Sequence, residues 1–143
     1  MNTPQATQQT FEDSTVNVKV KLAALWTSFM FLYSYVDYFA LYMPGKVDDI
    51  LNGKVFVFDI TQGFLLIALA SVTLPALMIF FSVALPARQN RWTNIIVAAV
   101  YIPYSLFNLA GEAWMHMMFG AAVEVVLLGL IIRYARKWPR VDV

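Results

Sequence analysis

Four acids and one histidine stand where a chain this apolar can least accommodate them. Asp37, Asp59, Glu112, His116 and Glu124 all fall inside, or at the ends of, long hydrophobic stretches. A carboxylate at the centre of a membrane helix costs roughly 2.5–3.5 kcal/mol on insertion scales unless it pairs or takes up a proton. Residues retained against such a cost can bind a cation, carry a proton, or divide acid and base roles in catalysis. Glu124 lies deepest of the five, near the middle of its stretch.

Helical spacing groups them. Glu112, His116, Gly120 and Glu124 are each four residues apart, so on a helix they form one slowly drifting stripe. Gly120 within that stripe permits close approach of a neighbouring helix or a small ligand. In the first apolar stretch Thr27, Met30, Ser34, Asp37 and Leu41 recur at alternating spacings of three and four, which places Asp37 on a partly polar face. In the third, Asn94, Tyr101, Tyr104 or Ser105, and Asn108 recur similarly. Three polar stripes most economically face one interior. The sequence therefore predicts a ligand-binding pocket lined by Asp37, Tyr101, Tyr104, Asn108, Glu112, His116 and Glu124.

Each residue also has a plainer reading. Glu124 as the neutral acid can bridge to Tyr101, Tyr104 or Asn108 as interhelical glue, and His116 can be a packed interface residue. Asp59 and Glu112 suit helix N-caps or first-turn acids favoured by the macrodipole. Met115, Met117 and Met118 beside the single histidine fit packing or lipid contact better than copper ligation. No HExxH, GxSxG, P-loop or GxGxxG occurs, and cysteine is absent. No metal or cofactor is expected, and a cofactor-bearing redox enzyme is disfavoured.

The elements that must hold these residues follow from composition. The 143 residues are 60% hydrophobic and 13% charged, with a mean hydropathy of +0.64. Soluble domains are nearer 45–50% apolar and about 25% charged, and one this small could not cover so much apolar surface. Net charge is +1, which gives no footing for nucleic acid. Four stretches approach the ~20 residues that span a hydrocarbon core. They run over about 20–43, ending at Pro44-Gly45; about 58–85, with Pro75 inside and Pro86 at its end; about 91–110, interrupted by Pro103; and about 113–134. Residues 1–18 read as a polar tail, 46–55 as a polar loop, 87–90 as a short connection, Gly111 as a tight turn and 138–143 as a C-terminal tail. The expectation is an all-α, up-down four-helix bundle in a membrane, occupying residues 19–137.

Charge gives this bundle a direction. With the N-terminus inside, Lys19, Lys21, Arg88, Arg91, Arg133, Arg136, Lys137 and Arg140 fall on the cytoplasmic side, and only Lys46 and Lys54 fall outside. Eight of the ten basic residues on one side is a clear positive-inside bias, with both termini cytoplasmic. The acids Asp37, Asp48, Asp49, Asp59, Glu112 and Glu124 then gather in the outer half, as a vestibule that attracts cations or basic amphiphiles.

The segments LAALWTSFMFLYSYVDYFALYMPGK (22–46), DITQGFLLIALAS (59–71), RWTNII (91–96) and VEVVLLGLIIRYARKWPR (123–140) resemble an uncharacterised family, a domain of unknown function found in short bacterial four-helix membrane proteins. The resemblance covers most of the chain beyond the N-terminal tail. It implies a four-span fold and a bacterial source, and it brings no activity. The expected location is the bacterial cytoplasmic (inner) membrane. The leading functional expectation is binding or transport of a small molecule or cation, with Glu124 holding the ligand or a proton and His116 and Glu112 as an outer gate. Two alternatives are a cofactor-free lipid or sterol-like isomerase using Glu124 and His116, and a structural subunit that self-assembles as a homo-oligomer or joins another membrane protein.

Overall fold

A computed structural model describes residues 15–110 and 114–139. The N-terminal tail as far as residue 14, the turn at Gly111, Glu112 and residues 140–143 lie outside the described residues. The described chain is mainly helical: α1 (Val18–Ala40), α2 (Lys46–Leu51), α3 (Gln62–Ala84), α4 (Ala87–Phe107) and α5 (Met115–Arg136). Two short strands, β1 (Lys54–Val55) and β2 (Phe58–Asp59), form an antiparallel hairpin between α2 and α3.

Each long helix begins and ends for a local reason. Asn17 caps α1, its side chain accepting from the Lys19 amide at 2.9 Å. Past Leu41 the chain turns through Pro44 to Gly45, whose φ of +83° suits a residue without a side chain. Thr61, in extended conformation, caps α3 by accepting from the Phe64 amide at 3.1 Å. Pro86 forces the preceding Leu85 extended, which ends α3 and starts α4 within two residues.

Three local expectations need correction. The segment 46–55 is not simply a polar loop: it contains α2 and the first strand of the hairpin. Asp59 is not a helix cap, since it pairs with Lys54 across the hairpin and Thr61 takes the capping position. The connection placed at 87–90 is the first turn of α4. Its Arg, Gln and Asn residues read as loop-like, but first-turn positions tolerate them because their amides need no intrahelical partner.

The four long helices pack around a shared core. Helix α1 lies against α3 and α5, and α4 lies against α5, while α3 and α4 meet less extensively than these pairs. The core contains Leu22, Trp26 and Phe29 of α1, Met78 of α3, Val97 and Ala98 of α4, and Leu128 and Ile131 of α5. These come from the first half of α1, the middle of α4 and the second halves of α3 and α5. The apolar core therefore sits at the end of the molecule that carries Lys19, Lys21, Arg88, Arg91, Arg133, Arg136 and Lys137, here the basic end. The opposite, acidic end carries α2, the hairpin and most of the polar side chains that remain.

Two described helices, α3 and α5, are long and apolar enough to cross a membrane. Only 11% of the most apolar stretch of α3 is buried, and 28% of that of α5. A core helix of a soluble protein would be mostly buried, so these helices show their apolar surface outward.

Candidate functional site

The buried polar residues form two groups, and their difference matters. The first group lies at the basic end and is closed on itself. Asn94 Oδ1 accepts from the Trp26 indole at 2.7 Å and from the Ser82 hydroxyl at 3.2 Å. Its amide nitrogen donates to the Asn90 carbonyl at 2.9 Å and to Asn90 Oδ1 at 2.7 Å. Asn90 in turn donates to the Ser82 carbonyl at 2.6 Å. The Lys19 ammonium donates to the Val83 and Leu85 carbonyls, so the exposed C-terminal carbonyls of α3 are met from α1. Every polar atom of the Asn94 amide is used, and the group reads as glue that joins α1, α3 and α4.

The second group lies toward the acidic end and is built around a proline. Pro75 has no N–H, so the carbonyl of Ser71 four residues earlier loses its helical donor. The Tyr101 hydroxyl of α4 donates to that carbonyl. The Ser71 hydroxyl meets Tyr104 Oη at 2.9 Å, Tyr104 Oη lies 3.5 Å from Tyr33 Oη, and Asn108 donates to Tyr33 at 3.4 Å. A ladder of hydroxyls thus bridges the loosely packed seam between α3 and α4 and continues to α1.

Glu124 stands beside this ladder and does not share its closure. Its side chain is 3% exposed and forms no ion pair with a described residue, and the Ser105 hydroxyl is the hydrogen-bonding neighbour that acts on it. It lies beside Ser105 of α4 and within electrostatic range of Asp37 of α1, which also acts on Tyr33. The Ser105 hydroxyl is 1% exposed and has no hydrogen-bond partner other than Glu124 among the described residues. A buried carboxyl and a buried hydroxyl from facing helices thus stand side by side with no basic group to balance them among the described residues, while Asp37 is exposed nearby. Gly120, one turn from Glu124, brings α5 so close to α1 that an added methyl group would run into Val36.

The structure thus brings together Asp37, Tyr101, Tyr104, Asn108 and Glu124 of the expected site. It does not bring His116 to them. His116 shares an open pocket of about 290 Å³ with Phe39, Tyr42, Met43 and Trp114. Its Nε2 is buried there without a partner, and its ring stands edge-on to Trp114. A second pocket of about 420 Å³ runs along α1 beside Met30, Phe31, Ser34, Tyr35 and Tyr38. Neither pocket is lined by Asp37 or Glu124. Among the described residues no three acids or histidines gather as metal ligands.

Several members were not named from the sequence. Tyr33, four residues before Asp37, takes the inward position expected of Ser34. Ser71 was signalled by Pro75 four residues on, because a proline frees that carbonyl. Asn90 stands one turn before Asn94 on the same face. Each signal was a spacing to a residue already noticed.

Residues 9–143 match DUF6326, a family of unknown function. The chain belongs to that family. No curated protein and no solved structure matches it. Membership in DUF6326 brings no activity to the site.

Proposed function

We propose that the chain is a four-span protein of a bacterial inner membrane, with both ends cytoplasmic, that binds a singly charged cation at Glu124. The membrane reading is supported by what faces outward. On α4 the exposed residues Trp92, Ile96 and Val100 make an apolar stripe, while Asn90, Asn94 and Ser105 are buried. Polar inside and apolar outside reverses the order of a water-soluble helix. Beyond its first turn, which carries the exposed Arg88 and Gln89, the outer face of α4 is apolar. At 21 to 23 residues the four long helices run about 32–35 Å, enough for a hydrocarbon core of about 30 Å.

The binding reading rests on one observation: Glu124 is buried with no cationic side chain beside it among the described residues, only the Ser105 hydroxyl and, farther off, Asp37. Buried charges are normally paired. A cation between Glu124 and Ser105, with Asp37 at the mouth, supplies the missing partner and balances the charge. The acids of the opposite end from the basic residues raise the local cation concentration. Binding or transport of a small molecule through the same cluster uses the same groups. The isomerase alternative gains no support from the geometry, because His116 and Glu124 are two turns apart, about 12 Å along α5, and occupy different surroundings.

Thermal unfolding of purified protein provides the test, with sodium, potassium and ammonium chloride titrated at fixed ionic strength. At least one cation is expected to raise the midpoint saturably, since a ligand at a hundred times its Kd stabilises by about 2.7 kcal/mol. Glu124→Gln should abolish that rise. Equal responses of wild type and variant to all three salts would remove the role given to Glu124.

A further inference from the structure

We propose that the segment joining α1 to α3, residues 46–60, is an interfacial strap that lies in the headgroup layer of the bilayer the helices cross. The inference rests on the membrane reading above. Connectivity sets the depth: α1 ends at Ala40 and α3 begins at Gln62, both at the boundary of the apolar zone. What lies between is held at that boundary, and its side chains are arranged for it.

In α2, Val47, Ile50 and Leu51 stand at positions i, i+3 and i+4 and share one face, while Asp48 and Asp49 lie on the other. No residue of α2 is buried against the protein, and Leu51 is 79% exposed. The hairpin repeats the pattern in a sharper form. Its two-residue tip is Phe56-Val57, where the tight turns of hairpins favour Asn-Gly or Asp-Gly. Phe56 adopts φ +55°, a left-handed conformation that bulky side chains rarely take. The strained position is spent on placing large apolar side chains at the tip, with Val57 71% exposed and Phe58 50% exposed. In water such a tip would gain nothing from the strain.

The apolar surface is also continuous. Phe58 stacks on Phe64 in the first turn of α3, and Leu65, Leu66 and Ile67 carry the exposed apolar surface onward. One phospholipid surface covers the tip, the α2 face and α3 together. Amphipathic segments of this kind settle at the headgroup–acyl boundary with their charged face to water. Asp48 and Asp49 would then sit at the outer surface, above the acidic end of the bundle.

The cysteine-free sequence makes a direct test available. Single cysteines at Leu51, Val57, Asp48 and Ile67 are spin-labelled in phospholipid vesicles, and collision with oxygen is compared with collision with a water-soluble nickel chelate. Labels at Leu51→Cys and Val57→Cys are expected to show an oxygen-to-nickel ratio several-fold above that at Asp48→Cys, and Ile67→Cys a higher ratio still. If Leu51→Cys and Val57→Cys match Asp48→Cys while Ile67→Cys stays lipid-exposed, the strap is overturned and the spanning helices stand. If both strap labels meet neither reagent, they are covered by protein and the strap is again overturned. If Ile67→Cys is itself reached freely by nickel, the membrane reading fails and the strap with it.

Discussion

Asn94 and Glu124 are both buried polar residues on packed helices, and the structure gives them opposite characters. Asn94 is saturated: it accepts from Trp26 and Ser82 and donates twice to Asn90. Replacing it with Leu should leave the Trp26 indole without an acceptor and cost about 1–3 kcal/mol. Hydrogen bonds between membrane helices average only about 0.6 kcal/mol in double-mutant cycles, because partners can be replaced. Asn94 is expected at the upper part of the range, since three partners lose their bond at once. Trp26→Phe should cost less when Asn94 is already Leu than in wild type, as read by denaturant unfolding in mixed micelles. Additive losses would show that the bond between them contributes little. Glu124, by contrast, has no such web to lose. Glu124→Gln should therefore leave ligand-free stability unchanged or slightly raised, while removing the response to cations.

Helix pairs were legible from the sequence to unequal degrees. The four long helices and their prolines followed from hydrophobic runs, because a membrane-length run of apolar residues has few other uses. The segment 46–60 was harder, since its charges and its Asn52-Gly53 pair outweighed the short apolar pattern of α2. Periodicity over six residues is too brief to separate a helix from a loop. The pairing of α1 with α5 turns on Gly120. A methyl group there would meet Val36, and overpacking of this kind typically costs about 1–3 kcal/mol. Gly120→Ala should destabilise by that amount, and Val36→Ala in the same chain should restore most of the loss. No restoration in the double variant would mean that the two helices do not meet there. At the start of α3, Thr61→Ala removes the bond to the Phe64 amide and should cost about 1 kcal/mol by the same unfolding measurement.

For the whole molecule, the polar stripes found by spacing do meet, but not in the single container that spacing alone suggested. Helical periodicity reports which residues share a face. It does not report how far two faces stand apart along the axis, and His116 is separated from Glu124 in that direction. The bundle is packed with large side chains at the basic end and bridged by hydroxyls toward the acidic end. That asymmetry places the buried carboxyl of Glu124 on the side away from the positive charges. A topology of four crossings with the basic ends inside is tested most directly by labelling single cysteines in intact bacterial cells with a membrane-impermeant maleimide. Asn52→Cys should react in intact cells, and Arg88→Cys and Lys137→Cys only after the cells are opened. Reaction of Arg88→Cys from outside, or protection of all three until lysis, would contradict it.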